Sequence, residues 1–372
     1  MSKVDIGGGK TATRSFDLSD VSLVPSRRTR DVDDVSTDWQ LDAYRFGIPC
    51  VAHPSDATMS PASAVALGKG GGLGVLNAEG LWCRYEDPTP LLEELSGLNE
   101  ADATRRLQEV YSEPIKPELI AARVKEMRDG GATVALRVSP QHCIALSPVI
   151  LDAGVDVLVI QGTIVSAEHV SSQDEPLNLK EFIADLDLPV VVGGCTNYTT
   201  ALHLMRTGAA GVIVGIGADV WSTTDDVLGI AVPLASAIAD AAAARRDYLD
   251  ETGGRYVHLI ADGEIESSGE IAKAIACGAD SVMLGRALAA ATEAPAKGAW
   301  WHPAASHPKL PRGLYCPPNT EMGDPVPMNE LLHGPASEPL GTRNLFGGLR
   351  RSMAKCGYSN VKEFQKVELI LS

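Results

Sequence analysis

The sequence predicts an α/β fold of the (β/α)8 barrel class, and three features of the chain indicate it. Short runs rich in β-branched residues recur, each followed by a turn and then by a helical pattern. Several of these runs are apolar on both faces, which is typical of parallel strands covered by helices on both sides. Eight such units match a barrel of about 250 residues or more.

The predicted strands and the helical patterns between them follow the chain in strict alternation. The helical patterns include PELIAARVKEMRDGG, TTALHLMRTGA and SGEIAKAIACGA, and most end in glycine, which is favoured just past a helix C-terminus. An open doubly wound sheet is the alternative, but eight units and the lack of an N-terminal GxGxxG favour the barrel. The predicted strands are Ile48–Ala52, Leu73–Leu76, Thr133–Arg137, Val157–Ile160, Val190–Val192, Gly211–Val214, His258–Ala261 and Ser281–Leu284.

We expect residues 1–372 to form a single barrel domain with three additions. A polar, acidic insertion follows strand 2 at about 78–130, and a long Ala-rich helix follows strand 6 within 227–254. A Pro-rich segment at about 300–345 has many turn signals and little periodicity. Long irregular segments of this kind form lids or binding loops or are disordered, so we expect a lid-like segment there.

Composition excludes several classes of function. The net charge of −16 disfavours binding to nucleic acid or to anionic membrane surfaces. The chain has no apolar run long enough to cross a bilayer and no apolar signal core at its start. Its 7 cysteines are scattered without metal-ligand spacing, which indicates reduced thiols and a cytoplasmic location.

The loops after strands 7 and 8 are candidates for binding a phosphate, as they commonly do in this fold. Gly263 and Gly285 would let backbone N–H groups approach an anion, and Arg286 would add a charged fork of donors. Glu264 opposes this interpretation because its carboxylate would repel a phosphate. The alternative is a Glu264–Arg286 ion pair that fills the site.

Other polar residues that follow predicted strands have both a functional and a structural interpretation. Asp262 could bind a ribose diol, because a carboxylate accepts two hydroxyl donors, or it could cap a turn. Cys195 could be a thiolate nucleophile, although a small buried residue is the more common role. His53 and His142 are isolated histidines, which are more often hydrogen-bonded structural residues than catalysts.

Four stretches of the chain resemble the IMP dehydrogenase and GMP reductase family. They are SFDLSDVSLVPSRR, IPCVAHPSDATMSPASAVALGKGGGLGVLN, IADGEIESSGEIAKAIACGADSVMLG and FGGLRRSMAKCGYSNVKEFQ. The resemblance implies a homotetrameric oxidoreductase that binds a purine 5′-monophosphate and NAD or NADP. The insertion after strand 2 is too short to be the tandem regulatory (CBS) module of many family members.

The resemblance also assigns roles to single residues, and the departures from the family pattern fall on the chemistry. GIGADVWSTT matches the family's catalytic loop, but Ser222 stands at the position of its nucleophilic cysteine and Val220 at that of a phosphate-binding serine. The adjacent Arg-Tyr pair that activates water in the dehydrogenases is missing between Trp301 and Leu345. Gln161 replaces a carboxylate near the nicotinamide, so Gln161 and Gly162 are the cofactor-binding candidates.

Substrate and metal contacts are implied at further positions of these loops. The substrate-binding candidates are Gly217, Asp262, Gly263, Gly285 and Arg286, and a potassium site would be lined by Gly215, Gly217 and Ser222. Ser222 and, less directly, Cys195 remain the candidates for a catalytic role. A serine hydroxyl needs a strong adjacent base to act as a nucleophile, whereas a cysteine reaches the thiolate state readily.

Three functions from different classes remain open at this point. The first is an IMP dehydrogenase-like oxidoreductase acting on a purine nucleotide. The second is a catalytically silent nucleotide-binding or regulatory homologue, which could be a partner of an authentic IMP dehydrogenase. The third is a flavin-dependent barrel of the nitronate monooxygenase type, to which GGLGVL and VIQGTIVSAEH are similar.

Overall fold

Short antiparallel strands precede the barrel in the computed structural model, which describes residues 3–170, 177–217, 222–318 and 323–372. Trp39 stacks on Phe46 with ring centroids 5.2 Å apart, and a Cβ on Gly211 would lie 3.5 Å from buried Leu41. The hairpin formed by residues 39–46 therefore closes the amino-terminal end of the barrel. The strands are β1 (Lys3–Gly7), β2 (Lys10–Thr13), β3 (Val21–Leu23), β4 (Trp39–Leu41) and β5 (Tyr44–Phe46).

The central sheet contains eight strands, β6 to β13, that pair in parallel in the order β6-β13-β12-β11-β10-β9-β8-β7. A parallel bridge between Val51 and Leu73 joins its two edges and closes the barrel. The predicted (β/α)8 fold is therefore confirmed. These strands are Cys50–Ala52, Val75–Asn77, Ala135–Val138, Val157–Gln161, Val190–Cys195, Gly211–Val214, His258–Asp262 and Ser281–Leu284.

The strand bounds differ from the predicted ones in a way that matters for the site. β6 begins at Cys50 rather than Ile48, because Pro49 has no N–H to donate to a ladder. At their carboxyl ends β9, β10 and β12 extend to Gln161, Cys195 and Asp262. These three side chains are thus held by the barrel itself and not by its loops.

Thirteen α-helices among the described residues surround or extend the barrel. Ser60 and Ser63 form a capping box at the start of α1, and Ser267 and Glu270 form one at α10. The long helix predicted after strand 6 is α9. The bounds are α1 Pro61–Lys69, α2 Thr89–Ser96, α3 Glu100–Val110, α4 Pro117–Asp129, α5 Cys143–Asp152, α6 Leu179–Ala184, α7 Tyr198–Arg206, α8 Thr224–Leu228, α9 Leu234–Glu251, α10 Ser268–Cys277, α11 Met328–His333, α12 Leu345–Lys355 and α13 Val361–Phe364.

A second hydrophobic core joins the insertion after strand 2 to the segment after strand 8. Helices α2 and α3 pack on β14 (Trp300–Trp301) and β15 (Tyr315–Cys316), which pair with each other. The Tyr315 hydroxyl donates to the carbonyl of Leu95 over 2.6 Å. Part of the 300–345 segment is therefore packed against the insertion above the carboxyl ends of the strands.

The chain ends by packing back onto its beginning. Strand β16 (Leu369–Leu371) pairs antiparallel with β3 near the amino terminus. No helix in the described ranges has the length and apolar character needed to cross a membrane.

Candidate functional site

A cavity of about 490 Å³ lies at the carboxyl ends of the barrel strands. Its wall combines strand ends, the insertion and the segment after strand 8. This volume falls within the range of small-molecule sites, and the carboxyl face is where barrel enzymes bind their substrates. Its lining residues include His53, Glu79, Tyr111, Arg137, Gln161, Gly162, Asp262, His302 and Arg312.

Asp262 is the buried carboxyl group of this cavity. It ends β12 and is 4% exposed. Nε2 of Gln161 donates to its Oδ2 over 3.1 Å, and His53 Nε2 lies 3.9 Å from the same oxygen. Burial raises the pKa of Asp262 to about 7, although the hydrogen bond from Gln161 opposes this effect. The group can therefore gain or lose a proton near neutral pH and accept hydroxyl donors when ionised.

His53 and His302 form a pair of neutral imidazoles beside Asp262. Their ring centroids are 5.1 Å apart, and burial lowers the pKa of His302 to about 3 and that of His53 well below its ordinary value. Neither ring nitrogen of His53 has a hydrogen-bond partner among the described residues. A structural hydrogen bond to His53 is therefore not seen among the described residues, and its ring lines the cavity.

His142 and Arg137 contact a second carboxylate of the cavity wall, Glu79. His142 Nδ1 lies 2.7 Å from Glu79, as expected for a hydrogen-bonded histidine, and this bond raises the pKa of His142. Burial opposes the ionisation of Glu79, but the Arg137 charge and the His142 hydrogen bond outweigh it and lower the pKa to about 2. Arg137 also donates to the Gln161 carbonyl from Nε and Nη2 over 3.0 and 2.6 Å.

Several buried polar atoms at the cavity have no partner among the described residues. They are the Arg312 Nε–H donor, the Gln161 Oε1 acceptor and both ring nitrogens of His53; the Trp300 Nε1–H donor, beside the loops after β12 and β13, also lacks a partner there. Buried polar groups are normally satisfied by protein, water or ligand. Their mixture fits a neutral or weakly charged ligand that carries both donors and acceptors.

The loops after β12 and β13 enclose a smaller space of about 20 Å³ that continues from the cavity past Asp262. Gly263, Gly285 and Arg286, the candidates for a phosphate site, line it together with Glu264. Arg286 Nη1 lies 2.9 and 3.0 Å from the carboxylate oxygens of Glu266. Sequence reasoning considered only Glu264 as the carboxylate partner of Arg286 and missed Glu266.

Comparison with known proteins assigns the chain to a family. Residues 15–313 match the family model described as IMP dehydrogenase / GMP reductase domain. The chain belongs to the IMP dehydrogenase/GMP reductase family. An uncharacterized oxidoreductase of Mycobacterium tuberculosis is 59% identical over 372 residues, which cover 98% of this chain and 99% of that protein.

Two further relatives connect the family to solved and named proteins. The crystal structure of an IMP dehydrogenase/GMP reductase-like protein from Corynebacterium glutamicum is 51% identical, with a TM-score of 0.94, and the match covers 100% of this chain and 98% of that one. The inosine-5′-monophosphate dehydrogenase of Methanocaldococcus jannaschii is 32% identical over 276 residues, covering 66% of this chain and 51% of that protein.

Ser222, at the position of the cysteine nucleophile in this family, is buried and hydrogen-bonded to a neighbouring side chain. Its side chain is 2% exposed, and its hydroxyl lies 2.7 Å from Oγ1 of fully buried Thr224. Ser222 does not line the cavity, and no histidine, lysine or carboxylate hydrogen-bonds to its hydroxyl among the described residues. Val220, the counterpart of the family's phosphate-binding serine, lies outside the described residues.

Cys195, the other nucleophile candidate, is 2% exposed at the end of β10. Burial raises the pKa of its thiol to about 12, so the thiolate is scarce at neutral pH. Cys195 also does not line the cavity. A nucleophilic role would need both exposure and a lower pKa.

The glycines of the loop after β11 allow close approach to the site. At Gly215, with φ of 114°, a Cβ would lie 1.8 Å from the Asp262 carbonyl oxygen. At Gly217, with φ of 89°, it would lie 3.3 Å from the His302 ring. Space at Gly215 and the left-handed backbone at both positions favour glycine, and Gly215 packs directly on the strand end that carries Asp262.

Proposed function

We propose that this chain is an IMP dehydrogenase-like oxidoreductase in which Asp262 holds the ribose of a purine nucleoside or nucleotide. The observation that carries this proposal is the buried Asp262 carboxyl group on the cavity wall, fixed by Gln161. An ionised carboxylate accepts two hydroxyl donors, which a ribose diol supplies. The family's purine ligands are the reason for choosing a purine over another ribosyl compound.

The proposed activity does not include the family's covalent step, in which a cysteine attacks the purine. The Ser222 hydroxyl is occupied by Thr224, and the Cys195 thiol is buried with a raised pKa. Attack on a purine carbon would need an activated nucleophile on the cavity wall. We therefore infer that any turnover proceeds without an enzyme-bound covalent intermediate, and that Ser222 has a structural role.

The cofactor of this proposal is NAD or NADP, which when bound would accept or donate a hydride. Gln161 and Gly162 line the cavity and would hold its nicotinamide end, since Oε1 of Gln161 is a buried acceptor without a partner. We also propose that the Gly215, Gly217 and Ser222 carbonyl oxygens would bind a potassium ion. The Ser222 carbonyl already accepts a hydrogen bond from Thr224 N over 2.5 Å. A carbonyl oxygen has a second lone pair for a cation.

The second candidate function is a binding or regulatory protein without turnover. The observation that favours it is the hydrogen bond that occupies the Ser222 hydroxyl at the family's nucleophile position. In this case the chain would bind the same ligand and act through assembly, as a homotetramer or with an authentic IMP dehydrogenase.

Calorimetric titration with inosine, guanosine, IMP and GMP tests the shared part of both candidates. We expect heat with at least one of these compounds, and a loss of at least tenfold in affinity in Asp262→Asn. The exposed Asp250→Asn variant is the matched control and should bind like the wild type. Absence of heat with all four compounds would reject the proposal. For the compound that binds, formation of NADH or NADPH (from an inosine compound) or its consumption (with a guanine compound) separates the enzyme from the silent homologue.

A further inference from the structure

The narrow space beyond Asp262, beside the loops after β12 and β13, limits the size of the ligand group that can lie there. It measures about 20 Å³ and shares Asp262 and His53 with the main cavity. A space of about 10–15 Å³ holds one water molecule. A phosphate group carries three terminal oxygens and is therefore larger than the single water molecule that this space holds.

The Trp300 indole is the side chain that narrows this space. Trp300 is 3% exposed, and a Cβ on Gly285 would lie 3.1 Å from Cζ2 and Nε1 of its ring. The indole therefore covers the backbone of the loop after β13, where a phosphate would bind in many barrels of this fold. Its N–H group has no partner among the described residues and offers one neutral donor.

The charges around this space also disfavour a phosphate. Glu266 places both carboxylate oxygens within 3.0 Å of Arg286 Nη1, so this guanidinium is already neutralised. Glu264 lines the same space and adds a second carboxyl group. A phosphate would have to displace Glu266 from Arg286 and would then lie beside two carboxylates, which costs free energy through like-charge repulsion.

We propose that the ligand of this chain is a purine nucleoside with a free 5′-hydroxyl, and that Trp300 and Glu266 exclude the 5′-monophosphate. The proposal rests on the proposed function, since Asp262 is taken to hold the ribose. A hydroxyl group fits a space of one water molecule. It can accept from the Trp300 N–H and needs no positive partner.

Calorimetric titration of the full chain with inosine and with IMP tests this assignment. We expect inosine to bind at least tenfold more tightly than IMP. In Trp300→Ala, which opens the space, the ratio of the inosine affinity to the IMP affinity should fall by at least tenfold. Glu266→Gln removes the carboxylate charge beside Arg286 without a change in volume, and there the ratio of the inosine affinity to the IMP affinity should shift toward IMP by about three- to tenfold.

The control is Glu251→Gln, which breaks a comparable carboxylate–arginine pair with Arg206 on the outer helices and should leave the ratio unchanged. Tighter binding of IMP than of inosine by the wild type would overturn this inference and leave the proposed function intact. Lack of binding by both compounds would overturn the two together. If Trp300→Ala does not fold, Glu266→Gln decides, and an unchanged ratio in that variant overturns the role of Glu266.

Discussion

Gln161 donates a hydrogen bond from Nε2 to Oδ2 of Asp262 over 3.1 Å, across the carboxyl-terminal end of the barrel. The two residues end β9 and β12, which are not neighbours in the sheet. Arg137, at β8, holds the backbone carbonyl of Gln161 with two N–H groups. Three strands therefore fix the orientation of one buried carboxyl group.

Nucleoside binding should strengthen as the pH rises through the pKa of Asp262, which is about 7. The ionised carboxylate accepts both ribose hydroxyls, so the inosine affinity should rise roughly tenfold between pH 6 and pH 8. His53 and His302 stay neutral in this range because burial lowers their pKa values. Calorimetry at three pH values measures the effect, and an affinity that is flat or falls with pH would contradict it. Asp262→Asn should lose the pH dependence.

The Asp262 carboxyl group should make the free energy of unfolding fall as the pH rises, whereas it makes ligand affinity rise. Burial raises the folded-state pKa of Asp262 above its value in the unfolded chain, so the folded state retains a proton that the unfolded state has lost. This contribution to the free energy of unfolding therefore falls as the pH rises from about 4 to 7. Relative to the wild type, Asp262→Asn should gain on the order of 2 kcal/mol between pH 5 and pH 8. Urea unfolding at both pH values tests this, and a constant difference would refute it.

Tyr111→Phe should destabilise the contact between the insertion and the segment after strand 8. The Tyr111 hydroxyl donates to Asp56 over 2.6 Å and accepts from Trp301 Nε1 over 3.0 Å. Burial raises the pKa of Asp56 to about 6, and the Tyr111 hydrogen bond limits this rise. At pH 8 the variant leaves a buried carboxylate with fewer donors, at a cost of about 2 kcal/mol.

Urea unfolding at pH 8 measures this cost, with Tyr85→Phe as the matched control. The Tyr85 hydroxyl donates to the neutral Val110 carbonyl over 2.9 Å, so its loss should cost only about 1 kcal/mol. Equal losses in the two variants would show that the charge of Asp56 does not matter.

Ser222→Ala should weaken the fold slightly and leave ligand binding unchanged. The variant loses one buried hydroxyl–hydroxyl hydrogen bond, worth about 1 kcal/mol, from a side chain that does not line the cavity. Thr224→Val removes the other partner and should have a similar effect on stability. Calorimetry with inosine completes the test, since a loss of affinity or turnover in Ser222→Ala would restore this residue to the site.

The candidate site was only partly predictable from sequence. The order of the strands placed Asp262, Gln161 and Gly263 at the carboxyl ends, because parallel strands present these ends to one face. No local pattern indicated that Trp300 and Glu266 would meet there. Trp300 is about forty residues from the Gly263 loop in sequence, and the contact depends on how the segment after strand 8 packs on helices α2 and α3.

The sequence by itself determined the barrel, since alternation of apolar strands and amphipathic helices is a local pattern that only a few architectures satisfy. It also determined that a serine stands at the family's cysteine position. Only the tertiary structure decided the state of each group: His53 has no hydrogen-bond partner in the described part of the chain, and burial raises the pKa of Asp262. Burial and distances between remote side chains set these properties, and neither can be read from neighbours in the chain.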